Sequence, residues 1–117
     1  MIWFNSDRAR QQLITHGKVI TCRIRRKQFG STTAYFTNDK GERAIIGKVV
    51  VKMVKETVDS YMSGVVYEDH TKGFSEYLEL SGFDTVRQWE DEVLGLNSKG
   101  KIPSYLIFLE VTLKELA

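Results

Sequence analysis

The sequence predicts an α+β protein: a twisted or barrel-like sheet of four to six strands with two or three small helices. Three observations predict it. Apolar and polar residues alternate with period two from Val19 to Arg25 and again within Arg43–Val54. Helical spacing is confined to short stretches near the N-terminus and between residues 74 and 94. The stretch Tyr105–Leu113 is apolar at nearly every position, as an interior strand covered on both faces would be. With 117 residues, 42% hydrophobic and 27% charged, the chain suffices for one domain over residues 1–117 and is short for two.

Taken in order, Asn5-Ser6-Asp7 offers N-caps, Ala9, Leu13 and Ile14 recur at helical spacing, and His16-Gly17 supplies a stop. A first helix over about 7–15 follows. On the next strand Ile20, Cys22 and Ile24 share one face, expected to be buried, and Val19, Thr21, Arg23 and Arg25 the other, expected to be mostly polar. Gly30 punctuates, Thr32–Thr37 reads as a strand, and Asn38-Asp39-Lys40-Gly41 reads as a tight turn into a second arm, Arg43–Val54, with Gly47 as a bulge position. Residues 55–72 give mixed signals and read as an irregular or partly helical connection, with His70 in a loop among Glu68, Asp69 and Thr71.

Phe74, Tyr77 and Leu78 suggest a short helix ending near Ser81-Gly82, after which Asp84 is expected to cap a stronger helix through about Leu94. In that helix Val86, Trp89, Val93 and Leu94 form an apolar stripe, and Trp89 is expected in the core. Gly95, Asn97, Gly100 and Pro103 make the exit loop to the closing strand.

Several function classes drop out. No stretch approaches the roughly 20 apolar residues that cross a bilayer as a helix. The N-terminal residues lack the basic region and long apolar core of a signal peptide, and Cys22 stands alone, which leads us to expect a cytoplasmic protein. His16, His70 and one cysteine make no zinc pattern, and neither a Gly-rich phosphate loop nor a Gly-x-Ser-x-Gly elbow occurs, so no cofactor or metal is expected. Cys22 reads as a small core hydrophobe.

The net charge of +2 conceals an asymmetry. Residues 1–55 hold twelve Lys or Arg against three acids, and residues 56–117 hold five against twelve. Such polarity suits a face for a polyanion, or two halves that neutralise each other on folding. In the basic half, Lys18, Thr21 and Arg23 put an ammonium, a hydroxyl and a guanidinium around one mouth of the sheet, a group suited to a phosphate or an electron-rich heterocycle. Arg25-Arg26-Lys27 beside Phe29 adds backbone-binding cations and a stacking ring, although strand alternation splits the first two.

The helix followed by Gly17-Lys18-Val19-Ile20-Thr21-Cys22-Arg23, then a hairpin, then Gly82-Phe83-Asp84-Thr85 opening a helix with Trp89 and Val93, resembles the ASCH family of the PUA-like superfold over roughly residues 8–113. The resemblance implies a small PUA-like β-barrel of about five or six strands with two or three short flanking helices, and a cleft for RNA or a modified nucleoside. Its amidohydrolase members, which deacylate N4-acetylcytidine, use a lysine, a threonine three residues later and a glutamate near the second motif. Lys18 and Thr21 match the first two. Ser81 stands where the acid is expected, and Glu79, two residues earlier, is the displaced substitute.

The implied chemistry has Lys18 accept the Thr21 proton, Thr21 attack the acetyl carbonyl, an acid protonate the departing amine, and Arg23 or a backbone N–H hold the oxyanion. Ser81 cannot supply that proton but can hydrogen-bond a base edge. The expectation is therefore a domain that binds RNA or a modified nucleoside near Lys18, Thr21 and Arg23. The alternatives are the amidohydrolase itself and a protein–protein adaptor presenting the acidic half.

Overall fold

The computed structural model describes residues 1–23, 29–58, 70–96 and 105–117. It is an α+β fold in which five strands make a curled half-barrel flanked by three short helices. The elements run β1 (Ile2–Trp3), α1 (Asp7–His16), β2 (Lys18–Arg23), β3 (Gly30–Thr37), β4 (Arg43–Val58), α2 (His70–Tyr77), α3 (Val86–Leu96) and β5 (Tyr105–Leu116), with a single 3-10 turn, Leu78–Leu80, after α2. Spatial order is β1-β3-β4-β5-β2; the β1–β3 pair is parallel and the others antiparallel.

Local chemistry sets the first turns. The Ser6 hydroxyl accepts from the Ala9 amide at 3.4 Å and caps α1, while Gly17, at φ 74°, ends it by donating its N–H to the Leu13 carbonyl at 2.8 Å. A left-handed residue there turns the chain directly into β2. In the β3–β4 turn Asn38 Oδ1 accepts from the amides of Lys40 and Glu42, at 3.0 and 2.9 Å.

The expected bulge falls where Ala34 pairs with Gly47 and Tyr35 with Ile45, leaving Ile46 as the extra residue. A second irregularity, at Val54, separates the Met53–Leu109 pair from Lys55–Phe108. Bulges raise local twist, and two of them along the sixteen-residue β4 account for the curl of the sheet.

The curl makes two cores. Inside it, α1 lays Ala9 and Leu13 against Ile2, Phe4, Val19, Ala34, Val49, Val51, Leu109 and Val111. Outside it, α2 and α3 lay Phe74 and Trp89 on Ile20, Leu106 and Phe108. The rings of Phe74, Trp89 and Phe108 meet edge-on at 4.9 to 5.7 Å. β5 feeds both cores on alternate residues, as its unbroken apolar run requires.

Four expectations need correction. β4 continues past Val54 to Val58, because Thr57 and Lys55 pack against α2 where the sequence shows no apolar alternation. The second face of β2 is not polar: Val19 and Thr21 are buried inside the curl, with Thr21 only 7% exposed. His70 starts α2 rather than lying in a loop, and its Nδ1 shares a 2.6 Å hydrogen bond with the hydroxyl of fully buried Thr57.

The helix at 86–96 is capped by Thr85, not Asp84. The Thr85 hydroxyl accepts from the Gln88 amide at 3.1 Å, and the Gln88 side chain reaches back to the Asp84 amide. The sequence reading also missed β1, which is two residues long. Most of the expected irregular connection, residues 59–69, lies outside the described residues, as do residues 97–104 of the expected exit loop.

Gly73 is where α2 approaches the sheet most tightly. A Cβ there would lie 2.6 Å from the Phe108 ring and 3.1 Å from the Thr57 methyl. Gly73→Ala therefore overpacks the outer core and lowers unfolding stability by about 1–3 kcal/mol in a urea titration. An unchanged midpoint would show that α2 does not seat this closely.

Candidate functional site

β2 and β5 exchange a regular antiparallel ladder, Lys18↔Thr112 through Arg23↔Ile107. Side chains alternate across such a ladder, so residues three apart project to opposite faces. Lys18 lies with Ile20 and Cys22 on the outer face, where its ammonium is 3.8 Å from Glu110 Oε1, an oxygen also 3.9 Å from the Lys52 ammonium. Thr21 lies with Val19 on the inner face, and its hydroxyl accepts a 3.0 Å bond from Arg23 Nε. The structure thus joins Thr21 to Arg23 and separates Lys18 from both.

Arg23 has a second task. Its Nη2 donates to the Trp3 carbonyl at 2.6 Å, and its guanidinium carbon stands 5.2 Å from the centroid of the Phe4 ring. β1 and β2 are the two edges of the sheet, so this side chain ties one edge to the other across the open side of the curl. A planar fork with separate donors suits that bridge better than an ammonium.

The other expected site residues are dispersed. Ser81 is fully buried at the end of the 3-10 turn; its hydroxyl donates to the Leu78 carbonyl at 2.6 Å and accepts from the Phe83 amide at 3.0 Å. That serine closes a turn. Glu79 is exposed on the same turn and forms no ion pair among the described residues. Phe29 is 51% exposed just ahead of β3, and Arg25, Arg26 and Lys27 lie outside the described residues.

The concave end near Arg23 holds two polar residues that the sequence reading passed over. Ile107 pairs with Arg23 on one side and Glu56 on the other, so the guanidinium and the carboxylate start from one cross-strand row, about 10 Å apart at two strand spacings. In the next row Tyr105 pairs with Val58. The Tyr105 phenol is held above its usual range, first by partial removal from water and then by the Glu56 carboxylate beside it. Met53, 41% exposed, belongs to the Leu109–Thr21 row beside them. A guanidinium–hydroxyl pair and a carboxylate–phenol pair therefore flank an apolar floor at Ile107. The signal for Glu56 was hidden in the bulge at Val54, which shifts the facing of every later residue of β4.

Folding also mixes the two charge halves. Arg8 pairs with Asp84, Lys48 with Glu115, and Lys55 with Glu76, besides the contacts of Lys18 and Lys52 with Glu110. Most are exposed and worth little each, but they cancel much of the basic half locally. Between α1 and the turn at Gly82 lies a shallow groove of about 290 Å³, lined by Arg8, Gln12 and His16 among others. Among the described residues no group of His, Cys, Asp and Glu could hold a metal ion, and no helix is long and apolar enough to cross a membrane.

No family model matches the chain, and no curated protein matches it. Among solved structures, protein EF3133 of Enterococcus faecalis V583 (DUF984) is 13% identical and aligns over 99% of this chain and 80% of its own, with a TM-score of 0.46. At that level of likeness no residue role passes from one to the other.

Two measurements check the site's construction. Arg23→Lys removes the fork that bonds Thr21 and Trp3, and is expected to cost about 1–3 kcal/mol in denaturant unfolding; full stability would mean that the edges do not depend on it. Burial raises the Cys22 thiol from about 9 to about 12, with Arg23 opposing weakly. The unfolded thiol ionises first, so its contribution to stability is complete below pH 9 and is lost as pH rises toward 12. Cys22→Ala makes that alkaline decline shallower; an identical slope would place the thiol in water.

Proposed function

We propose that this domain binds the base of a nucleoside or of single-stranded RNA at the concave end of the sheet, and that it binds without hydrolysing. The observation that carries the proposal is the opposition of Arg23–Thr21 and Glu56–Tyr105 across Ile107. A base edge presents neighbouring donors and acceptors, and such an edge needs complementary groups held apart over an apolar floor. The Glu56 carboxylate accepts from an exocyclic amine, the Tyr105 ring offers a stacking surface, and the Arg23 guanidinium, fixed by Thr21 and Trp3, meets an opposite carbonyl. The ASCH-like order of motifs in the sequence supports the same ligand class, and a curled five-stranded half-barrel is loosely compatible with PUA-like folds.

The preference for binding over turnover rests on Lys18. Proton transfer from Thr21 requires the amine within hydrogen-bond reach, and here the Lys18 ammonium faces Glu110 on the opposite side of β2. No acid bonds both Lys18 and Thr21 among the described residues.

Calorimetric titration with cytidine, N4-acetylcytidine and guanosine tests this reading, alongside a ten-nucleotide single-stranded RNA. At least one nucleoside is expected to bind, and Glu56→Gln to weaken it about 10- to 100-fold, the range for losing a charge-assisted hydrogen bond. Cytidine released from N4-acetylcytidine and abolished by Lys18→Ala would overturn the binding-only reading. Absence of any nucleoside or RNA binding would overturn the site altogether.

A further inference from the structure

The outer sheet face is covered by α2 and α3 over only part of its area. Their apolar side chains meet β2, β5 and the far half of β4, and among the described residues leave the outer side of β1, β3 and the near half of β4 without a helix. Along this uncovered area one cross-strand row reads Trp3, Tyr35, Ile45. The Trp3 and Tyr35 rings lie 5.5 Å apart, tilted by 33°, and the Arg43 guanidinium sits 5.1 Å from the Tyr35 centroid, so two rings and a cation gather in one patch. Ile45 beside it is 56% exposed.

Charge separates this face from an ordinary apolar patch. On β3 and the near half of β4 the outward positions carry Arg43, Lys48 and Lys52 and no carboxylate, the remaining polar groups being serine and threonine hydroxyls. Glu115 and Glu110 on β5 stand 4.0 and 3.9 Å from Lys48 and Lys52, and Arg43 has no carboxylate partner among the described residues. Rings interleaved with cations on an open sheet are complementary to a polymer that presents flat π-faces along a chain of phosphates. An acidic peptide would use the cations and leave the rings idle.

We infer that the Trp3–Tyr35–Arg43 face is a stacking platform for single-stranded RNA, continuous with the concave site. This inference rests on the nucleic-acid reading given above and extends it from one base to a polymer. Trp3 joins the two surfaces, since its carbonyl accepts from Arg23 at the concave end while its ring lies on Tyr35 outside. An RNA strand with a base at the concave end therefore meets the platform as it passes over the β1 edge.

The experiment compares one ten-nucleotide uridine RNA with the nucleoside that binds best. Arg43→Glu changes an exposed side chain, and Tyr35→Ala removes a ring; each is expected to weaken the RNA about 5- to 100-fold, as loss of one stacked base or its neighbouring charge does, and to leave nucleoside affinity unchanged. Glu56→Gln weakens both ligands. RNA is also expected to quench tryptophan emission in the wild type and much less in Trp3→Phe, because Trp89 is buried in the outer core. Unchanged RNA affinity in Arg43→Glu and Tyr35→Ala overturns the platform and leaves the nucleoside site standing. An RNA that binds no better than the nucleoside does the same. Loss of both ligands in Arg43→Glu with an unaltered thermal midpoint also overturns it, since the two surfaces would then not be separable. A protein that binds neither ligand sinks platform and site together.

Discussion

β5 carries apolar side chains on both faces, and a strand of that kind is stable only between two covers. The curl of the sheet supplies the conditions for one cover, because it creates an inner surface small enough for the ten-residue α1 to close. α2 and α3 supply the other on the convex side. Among the described residues no other helix lies on the convex side. The bare area over β1 and β3 is the remainder of that division.

The same division explains where polar chemistry collects. Interior rows such as Val19, Val111 and Val51 are dry, and the polar groups of the concave side sit at the end near Arg23, where α1 no longer reaches. Arg23 is expensive to desolvate alone, and the structure surrounds it with the Thr21 hydroxyl, the Trp3 carbonyl and the Phe4 ring. A guanidinium held in that way is a fixed part of the wall. Glu56 and Tyr105, by contrast, stay exposed at the ends of their strands.

The sequence made legible whatever is decided by neighbours along the chain. Ser6 and Gly17 cap α1, Asn38 folds the hairpin, and the alternation of β2 sorts its residues onto two faces, though not which of the faces is buried. Long-range features were not legible. That Thr21 would be buried depends on the curl of the whole sheet, and the extension of β4 to Val58 depends on α2 accepting Lys55 and Thr57. The candidate site was half legible: Thr21 and Arg23 do meet, but a motif spacing of three residues says nothing about which face of a strand each member occupies, and Lys18 falls on the other one. Glu56 stayed invisible because one extra residue in β4 decides its side.

The brevity of β1 has a consequence for how the molecule opens. Two residues pair with β3 at Ala34 and Tyr35, and one further bond runs from the Phe4 amide to the Tyr35 carbonyl at 2.8 Å. Detaching that segment withdraws Ile2 and Phe4 from the inner core, takes the Trp3 carbonyl from Arg23 and frees the β3 edge at Ala34 and Tyr35 in a single event. The first four residues therefore behave as a latch with its own opening free energy, lower than that of the sheet, and amide exchange at Phe4 reads it out separately from global unfolding. The edge freed in this way belongs to an eight-residue strand rich in threonine and aromatic residues, which β1 shields in part from pairing with another strand.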